Sequence, residues 1–313
     1  MSRQQGVTIL GIFVVDLAFR AGRLPVMGET ILGDGFKMGP GGKGSNQAVA
    51  AARAGAGVTF LTRVGADEFG SLGRRTWEAE GIDTSRLITS EREPTGAAFI
   101  FVSSESGDNA IIVEPGAAAE LSAADVEAAA DAIRHAAVFV TQLEQPVATA
   151  SRALGIARAA GVVTVLNPAP AAHLPDAIFA LCDYVTPNET EAAALTGITV
   201  ASVDDARRAA DVLLAKGAGA TVLTLGERGA LFHDRERSVL VPAFAAGPVV
   251  ETTGAGDAFN GAFAAALAEG MDPVSAVRFG CAAAGISVTR PGTAPSMPTR
   301  AEIEALLERG PGR

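Results

Sequence analysis

AVFVTQLEQPVATASRALGIARAAGVVTVLN, from Ala137 to Asn167, reads as strand, helix and strand in succession. The runs Ala137–Leu143 and Val162–Asn167 are rich in Val, Leu and Phe, and Val147–Ala160 between them is a helical segment rich in alanine. Strands without polar alternation are buried on both faces, as in a parallel sheet covered by helices. The same rhythm runs outward in both directions. Strands are predicted at Val7–Val15, Val58–Val64, Tyr184–Thr186 and Thr221–Leu225, and helices near Ser45–Ala54, Asp67–Glu80, Ser122–Ala136, Glu189–Thr196 and Val203–Lys216. The last part is helical: Asp257–Glu269, Pro273–Thr289 and Arg300–Arg309. This predicts an α/β fold with a mostly parallel central sheet. No repeat or low-complexity linker divides the chain, so one domain over 1–313 is expected.

Two stretches depart from the rhythm. Thr30–Met38 and Thr95–Glu114 read as short, half-polar β pieces, the second a hairpin turning at Glu105–Asn109. Segments near 14–39 and 95–114 are expected to form a small β lid over the carboxyl edge of the main sheet, where open α/β proteins bind ligands.

The chain of 313 residues is 48% hydrophobic, enough for a sizeable core. Its 25 Lys and Arg against 35 Asp and Glu give a net charge of −10, which argues against nucleic acid or an anionic membrane as partner. Any positive field for an anionic substrate must then be local. The two cysteines, Cys182 and Cys281, and three scattered histidines form no metal-ligand spacing and no disulfide framework, and a reducing, cytoplasmic setting follows. The apolar run after Arg3 has the length of a signal-peptide core, but Asp16 ends it at once; a buried first strand is the better reading.

Gly39 to Asn46 (GPGGKGSN) satisfies G-x-G-x-x-G through Gly39, Gly41 and Gly44. A dinucleotide fingerprint needs a strand running straight into the glycines and an acidic residue about 20 positions on; here the first strand is expected to end near Val15, and a lid-like excursion intervenes. Either the segment is a plain glycine turn opening a helix, or Lys43 and Asn46 beside close-approach backbone bind hydroxyl groups. In Thr252–Asp257 (TTGAGD), Gly254, Ala255 and Gly256 let successive backbone N–H groups converge at a helix start, a nest for an anion. Asp257 is either a cap of that helix or a base beside a transferred phosphoryl group. Asn188 and Glu191 are spaced as a capping pair, or as an amide and an acid facing hydrated Mg²⁺. Thr224–Gly229 (TLGERG) is a strand end turning through glycines into a hairpin, and Glu144 sits just past a strand's carboxyl end.

Taken in order, GGKGSNQA (Gly41–Ala48), QLEQP (Gln142–Pro146), NPAPA (Asn167–Ala171), TPNETEA (Thr186–Ala192), TLGERG and GAGDAFNGA (Gly254–Ala262) resemble the ribokinase-like, phosphofructokinase-B type family of sugar kinases over nearly the whole chain. The resemblance implies a three-layer αβα sandwich with a β lid that also builds a homodimer. It implies transfer of the γ-phosphate of ATP to a primary sugar hydroxyl, with Asp257 as base and Gly254, Ala255 and Gly256 as anion hole. Asp16, Gly42, Lys43, Asn46 and Glu144 correspond to the sugar contacts. Asn188, Thr224, Gly226 and Gly229 correspond to the nucleotide side, and Glu191 serves Mg²⁺ indirectly. Glu251, Thr253, Ser287, Arg290, Gly292 and Ser296 match the family's monovalent cation (K⁺) site, several through carbonyls. D-ribose is the expected substrate; 2-deoxyribose, another furanose or a nucleoside are alternatives, and a nicotinamide-dependent oxidoreductase is the remote one. Three positions depart from the ribokinase pattern: Glu251 replaces Asp, Cys281 replaces a polar residue, and Val14 replaces a sugar-contacting Asn.

Overall fold

The computed structural model describes residues 6–310; Arg3, which precedes the first strand, lies outside them. In chain order the strands are β1 (Val7–Leu10), β2 (Val14–Ala21), β3 (Gly35–Gly41), β4 (Val58–Leu61), β5 (Arg63–Gly65), β6 (Ile88–Ser90), β7 (Thr95–Ser103), β8 (Asn109–Gly116), β9 (Val138–Thr141), β10 (Val163–Leu166), β11 (Tyr184–Val185), β12 (Ala220–Thr224), β13 (Ala230–His233) and β14 (Ser238–Val241). The helices are α1 (Lys43–Arg53), α2 (Glu68–Ala79), α3 (Ala123–Ala128), α4 (Ala130–His135), α5 (Val147–Ala159), α6 (Glu189–Thr196), α7 (Val203–Ala215), α8 (Ala255–Ala268), α9 (Pro273–Ser287) and α10 (Arg300–Arg309).

The main sheet has eight strands in the order β14-β13-β12-β11-β10-β9-β1-β4, parallel from β12 to β4 and closed at the other side by the antiparallel β13 and β14. Alternate residues feed two cores. Val138 and Val140 join Ala and Phe residues of α1, α8 and α9 on one face, while Phe139 joins residues of α3, α4 and α5 on the other. This is the expected three-layer αβα sandwich, with strands buried on both sides because helices cover both. A second, four-stranded sheet has the order β3-β2-β7-β8, as expected for the lid, with a turn joining β7 to β8. No helix of the described residues is long and apolar enough to cross a membrane.

Several boundaries differ from expectation. The apolar run Val7–Val15 is two strands in two sheets: β1 lies centrally in the main sheet, and β2 starts the second sheet. The break falls at Gly11–Phe13, where the carbonyl of Ile12 accepts from Ser45 N at the start of α1 instead of continuing the β1 ladder. The run Val58–Val64 divides likewise into β4 and β5, the latter paired with β6. The β piece expected at Thr30–Met38 is displaced to Gly35–Gly41, in register with β2. The helix expected over Ser122–Ala136 is broken at Ala129 into α3 and α4.

Candidate active site

The carboxyl ends of β1, β9, β10, β11 and β12 open toward the first turns of α1 and α8. Gly42 (φ 85) caps α1, and a Cβ there would meet Ile12 O at 2.7 Å. Gly44 approaches Gly11 so closely that a Cβ on it would lie 2.6 Å from the Gly11 Cα. The glycines of the GGKG segment therefore seat α1 directly on the end of β1. Gly254 (φ 83) caps α8 in the left-handed region, which favours glycine. The two helices cross where Gly261 has no side chain: a Cβ there would be 2.5 Å from Gln47 O and 2.5 Å from Ala50 Cβ.

That approach sets the first turn of α1 against the carboxylate at the first turn of α8. Asn46 Nδ2 donates to Asp257 Oδ2 and Gln47 Nε2 to Asp257 Oδ1, each at 3.0 Å. Asp257 is 6% exposed, directly beside the Gly254–Gly256 turn. Lys43 N donates to Glu144 Oε2 at 2.8 Å. Asp16, on β2, approaches Thr293 Oγ1 at 3.3 Å. Burial raises Glu144 to about 7 and Asp16 to about 6. Burial also raises Glu191. Burial alone would lower Lys43, but Asp257, Glu144 and Glu191 outweigh it and hold the ammonium above its ordinary value. One cation thus faces several carboxylates in a poorly solvated space.

On the other side of α8, Asn188 and Glu191 form a reciprocal cap of α6. Asn188 Oδ1 accepts from Glu191 N at 2.8 Å, and Asn188 N donates to Glu191 Oε2 at 2.9 Å. Thr224 pairs with Asn188 through a β-bridge, which brings the β12 turn beside this cap. Gly226 (φ 56) and Gly229 (φ 95) shape that turn, and a Cβ on Gly229 would lie 2.0 Å from Val241 O. Cys281 is buried within α9, its thiol pushed up to about 12 by burial, and it serves as a small apolar residue.

The residues matched to a cation site are partly assembled. Glu251 Oε2 accepts from Gly292 N at 2.8 Å, so the longer side chain reaches the loop after α9. Ser287 and Ser296 turn their hydroxyls to backbone carbonyls of Ala284 and Thr293, and Arg290 pairs with Glu302. Several carbonyls of this loop are already engaged: Thr293 O accepts from Ser296, and Ala294 O and Pro295 O accept from Arg53.

Sequence reasoning missed Gln47, Gln142, Asn167, Asn260 and Thr293. The first four lie within the quoted motifs without a role assigned to them, and all five are buried here and hydrogen-bonded around the site. Contrary to expectation a strand does run into the glycines, since Gly39 and Gly41 lie within β3, but β3 belongs to the second sheet, antiparallel to β2, and not to the parallel sheet. The context of a dinucleotide fingerprint is absent.

A left-handed glycine cap at a helix N-terminus, an adjacent buried carboxylate and a ring of buried polar groups at the carboxyl edge of an αβα sandwich suit a phosphotransferase. The family model of pfkB family carbohydrate kinases matches residues 4–300, and the chain belongs to that family. A ribokinase of Haemophilus influenzae is 41% identical over 302 residues, covering 96% of this chain and 98% of its own. A deoxyribokinase of Salmonella typhi is 39% identical over 302 residues, with 96% and 98% covered. The solved ribokinase of Arabidopsis thaliana, complexed with ribose and ATP, superposes with a TM-score of 0.90 at 30% identity, covering 97% of this chain and 99% of that one.

Proposed function

We propose that this carbohydrate kinase transfers the γ-phosphate of ATP to the primary hydroxyl of a pentose, D-ribose first. The observation that carries this reading is the position of Asp257: its carboxylate lies beside the Gly254–Gly256 turn and is gripped by the Asn46 and Gln47 amides. A sugar held by Asp16, Lys43, Asn46 and Glu144 presents its hydroxyl to Asp257, which takes the proton as the phosphoryl group transfers. The N–H groups of Gly254 and Gly256, with that of Ala255, which also donates to the Thr252 carbonyl at 3.2 Å, stabilise the charge that develops on that group. Asn46 Oδ1 has no partner among the described residues, and a sugar hydroxyl supplies one.

The Asn188, Thr224, Gly226 and Gly229 face takes the nucleotide. Mg²⁺ would neutralise phosphate charge, and Glu191, whose two oxygens each accept one bond from Asn188, would hold its water shell through their remaining lone pairs. A K⁺ ion would be held by Glu251, Thr253, Ser287, Arg290, Gly292 and Ser296, several of them through backbone carbonyls. Equal rates in Tris, Na⁺ and K⁺ buffers at fixed ATP–Mg²⁺ would remove that ion from the account. We read the chain as one kinase domain, with the second sheet as its lid, acting in the cytoplasm. Phe19, Phe36, Met38, Ile111 and Ile112 are exposed on the lid, an apolar surface suited to a second copy. Sedimentation would detect the homodimer.

A second reading has support from one position. Val14, where a sugar-contacting Asn is expected, suits 2-deoxyribose, and a deoxyribokinase is among the chain's relatives. An ADP-release assay with ribose, 2-deoxyribose, fructose and nucleosides separates the readings. Absence of turnover on every pentose overturns both.

A further inference from the structure

The polar residues between α1 and α8 form one chain of amides whose direction is fixed. Asn167 Nδ2 donates to the carbonyl of Thr186 at 3.0 Å, and a carbonyl can only accept. The Oδ1 of Asn167 is therefore the atom turned to Gln47, whose Nε2 donates to it at 3.0 Å. The other proton of that Nε2 goes to Asp257 Oδ1, and Gln47 Oε1 accepts from Gln142 Nε2 at 2.6 Å. Turning the Gln47 amide over would set its oxygen against two acceptors, Asn167 Oδ1 and Asp257 Oδ1, and these fix its direction, whereas Gln142, whose Oε1 is unpartnered, could turn either way. Gln47 is fully buried, so no bulk water can replace a lost partner. Asn46, the other donor to Asp257, has an unpartnered Oδ1 and no such constraint.

A second arm leaves the same Thr186. Its hydroxyl donates to Asn260 Oδ1 at 2.6 Å, and Asn260 Nδ2 donates to Gly256 O at 2.8 Å. The ends of β10 and β11 are thereby tied to both the Asp257 carboxylate and the backbone of the α8 first turn. The bare Gly261 brings Gln47 within reach.

We infer that Gln47 is the positioning residue of this reaction: it holds the Asp257 carboxylate in the one orientation that meets the sugar hydroxyl. The inference rests on Asp257 being the base. Gln47→Met keeps the length and volume and removes both donated bonds. A misplacement of the base by about an ångström is expected to lower kcat roughly ten- to hundredfold while KM for sugar and ATP stays within about threefold. A residue that only packs would lower Tm and leave kcat alone.

The decisive measurement is a double-mutant cycle. In an Asp257→Asn background, Gln47→Met should lower kcat hardly further, because it acts through the group already removed. Losses that multiply in the double variant overturn the positioning role while leaving Asp257 as base. Near-normal turnover of Asp257→Asn alone overturns the base assignment instead. If Gln47→Met does not fold, Asn167→Leu, which leaves the Gln47 amide unanchored, is put through the same cycle. A normal kcat in that folded variant also overturns the inference.

Discussion

Gly41 leaves the space that the carboxylate of Asp16 occupies: a Cβ on Gly41 would lie 2.1 Å from Asp16 Oδ1. The two residues stand on adjacent strands, Gly41 paired with Val14 and Asp16 two residues further along β2. Side chains two apart on a strand share a face, so Val14, Gly41 and the carboxylate flank one spot at the base of the lid. The bare glycine thus shapes the space around the Asp16 carboxylate, which the proposed function places on the sugar side.

Gly41→Ala pushes aside the end of a flexible side chain rather than backbone, so the fold should survive. Loss of one charged hydrogen bond to the sugar, about 1.5–3 kcal/mol, corresponds to a roughly ten- to hundredfold fall in kcat/KM for the pentose. KM for ATP should not change. Steady-state kinetics with each substrate varied in turn checks this, and an unaffected pentose kcat/KM would remove Asp16 from the sugar site.

Glu144 sets a pH dependence of stability. Its carboxyl is raised by burial from 4.5 to about 7, so between those values the folded state binds more protons than the unfolded chain. Stability from this group is then fully present below the ordinary value and is lost as pH rises through about 7. Glu144→Gln keeps an acceptor for Lys43 N and cannot ionise. In sugar-free protein, Tm of Glu144→Gln minus Tm of the parent should grow from about pH 5 to about pH 8. A difference that stays flat would show that Glu144 is not raised.

Asp257→Asn separates base from cap. The Asn oxygen remains against Gln47, whose direction is fixed by Asn167, and its amide nitrogen faces Asn46. Asn46 can turn over and present its unpartnered Oδ1, so the hydrogen bonding closes again and folding is preserved. Turnover should fall by about a hundredfold or more through loss of the base. A kcat near the parent value would leave Asp257 with a capping role only.

The sandwich was legible because buried parallel strands and Ala-rich helices write continuous patterns, as in Ala137–Asn167. The two helix starts were legible because backbone approach and left-handed caps need glycine at Gly42, Gly44 and Gly254. The change of sheet at Gly11–Phe13 was not, since all nine residues from Val7 to Val15 are apolar except Thr8 and Gly11, and the break is set by a distant helix taking the Ile12 carbonyl. Gln47 and Asn167 carry no periodic signature. Their role depends on the crossing of α1 and α8, which a bare Gly261 permits and no local spacing announces.

Val14 bears on which pentose is taken. It is 2% exposed and belongs to the apolar cluster that includes Ile12 and Ala98, so packing of β2 explains its presence by itself. It also shares the strand face of Asp16, and its cross-strand partner Gly41 lies under the Asp16 carboxylate. A sugar hydroxyl brought against Val14 loses water and gains no acceptor, at a cost of about 1–3 kcal/mol. A sugar with hydrogen at that carbon avoids the cost. A site built to bond the hydroxyl rejects the deoxy sugar strongly, whereas an apolar one discriminates little. The kcat/KM ratio of ribose to 2-deoxyribose should therefore rise in Val14→Asn by roughly five- to a hundredfold relative to the parent. The Asn side chain is close in size to Val, and Tm reports whether β2 accepts it. A folded variant with an unchanged ratio would make Val14 a packing residue and return the substrate to ribose without tolerance for the deoxy sugar.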